Sequence, residues 1–166
     1  LDKIGAEFEK GTLFLPQLIM SAGVAQAAFE VIRKHMVMSD NAPVSKGKIV
    51  IATVKGDVHD IGKNIVKVLL ENYGYDVIDL GKDVEYQAVV DAIRDNDVKL
   101  CGLSALMTTT LVSMKETIAL IRENNLDCKV MVGGAVLTPE YAKEIDADFY
   151  AKDAKESVDI AKRVLG

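Results

Sequence analysis

The stretch Ile49–Asn64, IVIATVKGDVHDIGKN, contains the change from strand to helix on which the fold depends. Its opening run, Ile49–Val54, is mostly β-branched, which is typical of a short strand buried on both faces. From Ile61 onward, apolar residues return at helical spacing. The loop between these elements holds His59, one of only two histidines, between acidic residues. A loop of this kind lies at the carboxyl edge of an open α/β sheet, where ligands bind. We therefore predict that His59 is a metal ligand or a catalytic group.

Outward from this stretch, apolar runs and helical patterns alternate regularly. Strands are predicted at 48–54, 75–79, 99–104, 128–132 and 147–150, and helices near 61–73, 85–96, 110–125, 139–145 and 154–165. Strand–helix repeats joined by short loops predict a parallel sheet with helices on both faces. We expect an α/β fold with a flavodoxin-like (Rossmann-like) five-stranded parallel sheet in the order 2-1-3-4-5.

The residues before this domain have a different character. Residues 1–38 are predicted to be helical, with an apolar stripe suited to packing against another helix. The polar segment 39–47 is predicted to be a linker, so the α/β domain would span 48–166. The helical pattern starts abruptly, as though cut from a longer chain, and two helices cannot bury both of their stripes alone.

Composition excludes several classes of function. The formal net charge is −5 and only 5% of residues are aromatic, which disfavours a nucleic-acid partner. No apolar run approaches the ~18 residues of a membrane span. Cys101 and Cys128 lie in strand-like runs and are predicted to be buried free thiols. We expect a cytoplasmic protein that has neither nucleic acid nor a membrane as its partner.

Three unusual segments fall at neighbouring strand ends of the predicted sheet. Asp57-Val58-His59 follows the first strand, Ser104-Ala105-Leu106 ends the third, and Gly133-Gly134 ends the fourth. In the order 2-1-3-4-5 the first and third strands flank the topological switch point, where ligands bind. Glycines at the fourth strand would let a ligand approach the backbone.

Four other kinds of site compete for this edge. A phosphoryl-accepting receiver domain would use Asp57 and Asp60, with Lys152 as its basic partner, but the third strand ends without a carboxylate. A dinucleotide site needs Gly-x-Gly-x-x-Gly after the first strand, which is absent. A zinc site needs more ligands than this loop supplies. A hydrolase built from Ser104, His59 and Asp57 lacks the Gly-x-Ser-x-Gly turn.

The three segments together resemble a known signature. Asp57-x-His59-x-x-Gly62, Ser104-x-Leu106 and Gly133-Gly134 are similar to the cobalamin-binding motif of methionine synthase and of the corrinoid proteins that serve methyltransferases. The likeness reaches back to Phe14–Gln17 and so covers nearly the whole chain. One part alone is unspecific, but three parts at the correct strand ends are highly specific.

The resemblance implies that cobalamin binds base-off and histidine-on. His59 would be the lower axial ligand to cobalt, and Asp57 would accept a hydrogen bond from its other ring nitrogen. Thr110 stands where methionine synthase has a serine that completes a proton relay. An imidazole that leaves cobalt can take up a proton near neutral pH, so the catalytic residues would be Asp57, His59 and Thr110.

The resemblance also implies a larger set of cofactor-binding residues. Ser104 and Thr108 would hydrogen-bond the nucleotide tail of the cofactor, whereas Leu106 would mainly pack. Gly62, Gly133 and Gly134 would leave room for the tail. The full set is Gly56, Asp57, Val58, His59, Asp60, Ile61, Gly62, Ser104, Leu106, Thr108, Gly133, Gly134 and Ala154, with Phe14 and Val24 from the helical part.

In the family a four-helix cap covers the upper corrin face. Phe14 would press near the methyl group, with Val24 beside it. This chain holds only about the second half of such a cap, so the fold is expected to begin with a partial helical cap.

The function implied is that of a methyl carrier. The chain would bind cobalamin (methylcobalamin or a related cobamide) and carry a methyl group between methyltransferase domains or subunits, without activity of its own. The methyl donor would be a methylated folate or another methylated small molecule. Two alternatives stay open: the cobalamin domain of an adenosylcobalamin-dependent mutase, which normally lacks the cap, and a non-catalytic cobalamin sensor.

Overall fold

A computed structural model describes residues 7, 10–14, 16–17, 20–21, 24, 27–28 and 45–166. In the range 45–166, strands and helices alternate along the chain. The strands are β1 (Lys48–Thr53), β2 (Asp76–Asp79), β3 (Leu100–Ser104), β4 (Lys129–Gly133) and β5 (Phe149–Tyr150). The helices are α1 (Ile61–Asn72), α2 (Tyr86–Asn96), α3 (Leu111–Glu123), α4 (Pro139–Glu144) and α5 (Ala154–Leu165), and a 3-10 turn at Thr108–Thr110 precedes α3.

The five strands form one parallel sheet in the order β2-β1-β3-β4-β5. This confirms the predicted flavodoxin-like architecture and its strand order. Thr53 pairs with Ser104, and Ser104 pairs with Gly133, so the carboxyl ends of β1, β3 and β4 lie side by side. The three segments that the sequence singles out therefore meet at one edge of the sheet.

Side chains alternate between two apolar layers. Val50 and Ala52 face a core cluster that includes residues of α2, α3 and α4. Ile49 and Ile51 face a second cluster, which includes residues of α1 and α5. Because β1 is buried on both faces, its central residues 49–52 are all apolar, as the sequence pattern predicts.

Local sequence explains where the helices near the site begin. Thr138 caps α4 by accepting a hydrogen bond from the amide of Tyr141 at 3.2 Å, and Pro139 occupies the first turn, as predicted. Asp153 caps α5 by accepting from the amide of Glu156 at 2.8 Å. The carboxyl-edge loop before α5 is thereby fixed.

The fifth strand is shorter than the predicted 147–150. The amide of Asp148 donates to the carbonyl of Val130 at 2.9 Å, but the amide of Val130 donates to the carboxylate of Asp148 at 2.8 Å. A side chain thus replaces a backbone acceptor, and regular pairing starts one residue later. The sequence pattern does not reveal this substitution.

Both cysteines are buried and free, as predicted. Cys101 lies within β3, whereas Cys128 immediately precedes β4. Burial raises the pKa of the Cys128 thiol to about 12, so this thiol is protonated and unreactive at neutral pH.

The helical cap over 1–38 and the linker over 39–47 fall largely outside the described residues, and this division of the chain stays a prediction. Phe14 and Val24 are described, and both are 71% exposed. Among the described residues, no helix is long and apolar enough to cross a membrane.

Candidate functional site

The carboxylate of Asp57 is the centre of a hydrogen-bond network at the ends of β1 and β3. Its Oδ1 accepts from the amide of His59 at 3.0 Å and lies 2.8 Å from Nδ1 of the same residue. Its Oδ2 accepts from the amides of Leu106 at 2.7 Å and Met107 at 3.1 Å. The hydroxyl of Thr110 lies 3.0 Å from Oδ2 as well. Asp57 is fully buried, so this network is shielded from water.

These contacts keep Asp57 ionised. Burial by itself would raise the pKa of the carboxyl group, but hydrogen bonds from the amides of His59, Leu106 and Met107 and from the imidazole outweigh it. The pKa of Asp57 therefore lies well below the usual range. A buried negative charge that is satisfied in this way is a fixed acceptor for the ring of His59.

The network fixes the orientation of the His59 ring. Because the facing carboxylate accepts, we assign the ring proton to Nδ1, which leaves the lone pair on Nε2. The side chain is 46% exposed, and among the described residues no hydrogen-bond partner reaches Nε2. One ring nitrogen is thus held by a carboxylate while the other faces outward, as in metal-ligating histidines.

Thr110 is a buried hydroxyl on the far side of the same carboxylate. Its Oγ1 lies 3.0 Å from Oδ2 of Asp57 and 2.8 Å from the carbonyl oxygen of Met107. A hydroxyl has one proton, so it donates to one of these acceptors at a time. The sequence separation of 53 residues between Asp57 and Thr110 is bridged by the pairing of β1 with β3.

The loop after β2 holds the histidine loop from the other side. The amide of Gly56 donates to Oδ1 of Asp83 at 2.7 Å, and the amide of Asp83 donates to the carbonyl of Asp57 at 2.9 Å. Sequence reasoning missed Asp83. The available signal was its position in a Gly-Lys-Asp segment that follows a strand ending at the same edge.

A cavity of about 570 Å³ runs from this edge down between the sheet and the helices α1 and α5. Its volume falls in the range of about 300–1,000 Å³ typical of small-molecule sites. Five of the predicted cofactor-binding residues line it: Gly62, Ser104, Gly133, Gly134 and Ala154. Sequence reasoning missed most of the remaining wall, which includes Ile51, Val66, Leu69, Gly102, Met131 and Ala151.

Close packing against neighbouring backbone is a reason for the glycine pair at the end of β4 that does not involve a ligand. A Cβ at Gly134 would lie 1.9 Å from the carbonyl oxygen of Ala105, and one at Gly133 would lie 3.1 Å from that of Ala151. Neighbouring backbone therefore requires glycine at 134, independently of any ligand. The prediction had explained both glycines by room for the ligand.

Exposed apolar side chains surround His59 on the same loops. Val58 and Ile61 follow β1, with Ile61 78% exposed, and Leu106 and Met107 follow β3. An exposed apolar surface of this kind marks a binding site for an apolar partner or ligand. Met107 was missed by the sequence analysis, although both its amide and its side chain belong to this edge.

The other predicted site residues have less distinctive surroundings. Asp60 is the residue before α1, and its side chain makes no capping hydrogen bond. Thr108 is exposed at the start of the 3-10 turn. Gly56 has a positive φ of 83° beside Thr110. Among the described residues, no group of three or more His, Cys, Asp or Glu side chains is placed to hold a metal ion.

Comparison with protein families gives two matches. A family model described as a B12 binding domain matches residues 47–159, and a second model with the same description matches residues 1–33. The dimethylamine corrinoid protein 1 of Methanosarcina acetivorans is 42% identical over 167 residues, which cover 99% of this chain and 78% of that protein. A corrinoid protein of Desulfitobacterium hafniense is 39% identical over 173 residues, covering 100% of this chain and 78% of that protein.

Comparison with solved structures also gives cobalamin-related proteins. A cobalamin-binding protein from Desulfitobacterium hafniense has a TM-score of 0.83 and 34% identity, covering 99% of this chain and 77% of its own. The methanol:cobalamin methyltransferase complex MtaBC of Methanosarcina barkeri has a TM-score of 0.86 and 33% identity, over 98% of this chain and 62% of that chain. A response regulator from Aurantimonas shares the fold alone, with a TM-score of 0.56 and 17% identity over 73% of this chain and 86% of that one.

Proposed function

The chain belongs to the B12-binding domain family of corrinoid proteins, and we propose that it holds cobalamin through His59 and carries a methyl group between methyltransferase active sites. The observation that carries this proposal is the hydrogen bond between Nδ1 of His59 and the buried, ionised Asp57, which leaves Nε2 available to a metal. When bound, cobalamin supplies a cobalt ion that accepts and releases the methyl group.

The residues at the site fit a cobalamin in three respects. His59 offers one outward-facing nitrogen ligand. The exposed apolar side chains of Val58, Leu106 and Met107 offer a surface for the apolar edge of a macrocycle. The adjoining cavity between the sheet and the helices α1 and α5 offers space that the nucleotide tail of the cofactor could occupy.

In this proposal Asp57 and Thr110 determine which nitrogen of the His59 ring holds a proton. While Nε2 binds the metal, the neutral ring keeps its proton on Nδ1, which donates to Asp57. If Nε2 were free of a metal, it could take up a proton, and the carboxylate of Asp57 would stabilise the charged ring. When the hydroxyl of Thr110 donates to the second oxygen of Asp57, it would help the neighbouring amides to keep this acceptor in place.

Methyltransferases are the partners that this family requires. Relatives are named for dimethylamine and for methanol, which favours a methylated small molecule over a methylated folate as the methyl donor. The formal net charge of −5 disfavours a nucleic acid as a partner.

The test of His59 is the visible absorption spectrum of the full chain after mixing with hydroxocobalamin and desalting. We expect the unchanged chain to retain a red chromophore whose spectrum indicates a protein nitrogen ligand. His59→Ala removes that nitrogen, so the signature should be lost even where some corrinoid stays bound.

His35→Ala is the matched control, because it removes the only other histidine of the chain. It should leave the spectrum unchanged. If His59→Ala retained the same nitrogen-ligand signature, His59 would not be the axial ligand.

A further inference from the structure

The cavity beside His59 is a slot whose depth can be read from the register of the sheet. At its mouth, Ser104 and Gly133 are paired at the ends of β3 and β4. Two residues further down, Ile51, Gly102 and Met131 form one row across β1, β3 and β4. Since a strand rises about 3.3 Å per residue, the slot reaches roughly 7 Å below the strand ends.

The next row closes the slot. Ile49 and Leu100 are paired there, both are fully buried, and neither lines the cavity. The row of Ile51, Gly102 and Met131 is therefore the floor of the accessible space.

Gly102 leaves space above this floor because it has no side chain. Its φ lies outside the left-handed region, so the backbone itself does not require glycine there. A Cβ at this position would lie 2.9 Å from Cε of Met131 and 3.3 Å from Cγ2 of Ile51. Because Cε of Met131 lies close to Gly102, any side chain at position 102 would displace the Met131 side chain toward the slot.

The deep half of the slot presents apolar side chains. Val66 and Leu69 of α1 pack with the floor residues Ile51 and Met131. Ala151 follows β5 and lies level with Gly133, at the mouth. The charged side chains Lys152 and Asp153 belong to the loop before α5, at the level of the strand ends.

Apart from Ser104 at the mouth, four further polar side chains of the lining have partners within the protein. Lys155 lies 3.5 Å from Asp159. Lys63 donates to Asp79 at 2.6 Å, and the hydroxyl of Tyr150 donates to the carbonyl of Leu137 at 3.3 Å. The hydroxyl of Ser157 donates to the carbonyl of Asp153 at 3.2 Å. A ligand that reaches the floor thus meets mostly carbon and sulfur.

We propose that Gly102 and Met131 set the depth of this slot and make it select cobamides whose tail ends in a benzimidazole over those whose tail ends in a purine. The inference rests on the proposed function, because it requires the tail to occupy the slot. An adenine carries an amino group and extra ring nitrogens, which lose their hydrogen bonds to water at an apolar floor. A benzimidazole presents a hydrocarbon edge there instead.

The experiment measures affinity by titrating the full chain with three corrinoids and following visible absorbance. Hydroxocobalamin has a benzimidazole tail, an adenine-tailed cobamide has a purine tail, and cobinamide has no nucleotide tail. We expect the adenine-tailed cobamide to bind at least about tenfold more weakly than hydroxocobalamin, since one unsatisfied buried polar group costs that much or more.

Substitutions around the floor of the slot test whether this floor determines the affinity for corrinoids. Gly102→Ala should weaken hydroxocobalamin at least about tenfold and leave cobinamide unchanged, because only the tail reaches residue 102. Val66→Phe fills the same space from α1 without crowding the sheet, and it should have the same selective effect. Cys101→Ala is the matched control, since Cys101 is the neighbouring buried residue of β3 and faces the opposite layer.

The results of these titrations test separately the selection by tail, the role of the floor and the proposed function. Equal binding of hydroxocobalamin and the adenine-tailed cobamide by the unchanged chain would overturn the selection by tail. Equal loss of hydroxocobalamin and cobinamide in both Gly102→Ala and Val66→Phe would overturn the role of the floor. If the unchanged chain bound neither hydroxocobalamin nor cobinamide, the proposed function itself would fail.

Discussion

At the scale of single residues, Asp57 combines a structural and a chemical role. Five hydrogen-bond donors surround its two oxygens, and three of them are backbone amides from two different loops. A carboxylate has about four lone-pair sites, so the four N–H donors can fill them, and the hydroxyl of Thr110 shares Oδ2 with two of the amides. The residue that orients His59 therefore also ties the end of β1 to the loop after β3.

Asp57→Asn is expected to weaken both roles. An amide has a single acceptor oxygen, so its NH₂ group would face donors, and some buried N–H groups would lose their partner. We expect the free energy of unfolding of the cofactor-free chain to fall by about 1–3 kcal/mol, measured by urea denaturation.

Asp76→Asn is the control for this change, because Asp76 is an exposed aspartate at the start of β2. Its stability should stay within about 0.5 kcal/mol of the unchanged chain. Equal stability of Asp57→Asn and Asp76→Asn would show that the network around Asp57 does not stabilise the fold.

Gly134 and Gly62 are expected to respond in opposite directions to the same substitution. Gly134→Ala places a Cβ 1.9 Å from a backbone oxygen at a φ of 137°, so the chain should lose about 3 kcal/mol or more of stability. Gly62→Ala meets no atom within 4 Å and lies in the first turn of α1. It should raise stability by up to about 1 kcal/mol.

Thermal unfolding of the two cofactor-free variants checks this contrast. A Gly134→Ala variant as stable as the unchanged chain would mean that the loop after β3 can move away from residue 134. That result would return the glycine pair to the ligand-based explanation alone.

At the scale of elements, the sequence predicts the order of strands and helices well. Apolar runs, helical spacing and signals such as Thr138-Pro139 depend on neighbouring residues, so a linear pattern reveals them. The length of β5 was not predictable, because the side chain of Asp148 takes over a backbone bond from Val130. Such an exchange depends on the neighbouring strand.

The candidate site also contains two kinds of contact: those that a local sequence pattern predicts, and those between residues distant in the sequence. Asp57 and His59 are two residues apart, so their contact follows from a local motif. Met107, Asp83 and Gly102 reach the site only through strand pairing and loop packing, and their neighbours in the sequence give weak signals. The roles of the predicted cofactor-binding residues stay predictions until a corrinoid is bound.

The loop after β2 is expected to control the rigidity of the histidine loop. Asp83→Ala removes the acceptor for the amide of Gly56, and alanine tolerates the φ of 54° at this position less well than aspartate. We expect faster hydrogen exchange at the amides of Gly56 and Asp83, with a loss of stability of about 1 kcal/mol.

Asp83→Asn is the matched rescue variant, because its side chain keeps an oxygen at the same place and asparagine tolerates a positive φ. Exchange at Gly56 should return close to that of the unchanged chain. Equally fast exchange in both variants would indicate that the charge of Asp83, rather than its geometry, holds the loop.

At the scale of the whole molecule, the two faces of the sheet differ. The layer of α2, α3 and α4 is a closed apolar core. The layer of α1 and α5 contains the slot, because the small residues Gly102, Gly133 and Ala151 leave space there. A ligand that fills the slot completes this second layer, so cobalamin should stabilise the chain by an amount that grows with the logarithm of its affinity.

Acid should destabilise the whole α/β domain through three carboxylates, Asp57, Asp79 and Asp148. Burial would raise the pKa of each, but hydrogen bonds and neighbouring cations lower it below the usual value. Lys63 acts on Asp79 in this way, and Lys129 and Arg122 act on Asp148.

The direction of the effect follows from proton linkage. A carboxyl group with a lower pKa in the folded state than in the unfolded state stabilises the fold above its unfolded pKa near ~3.9. As the pH falls through and below that value, the unfolded chain binds protons first, and this stability is lost. Urea midpoints of the cofactor-free chain should therefore decrease between about pH 5 and pH 3.

Asp148→Asn tests whether these carboxylates cause the decrease. Asp148 does not line the cavity, and it accepts from Arg122 at 2.6 Å and from Lys129 at 2.9 Å. The variant should be less stable near neutral pH and show a flatter dependence on pH, because one linked group has been removed. A slope equal to that of the unchanged chain would assign the acid sensitivity to other groups, and a urea midpoint constant down to pH 3 would contradict the linkage altogether.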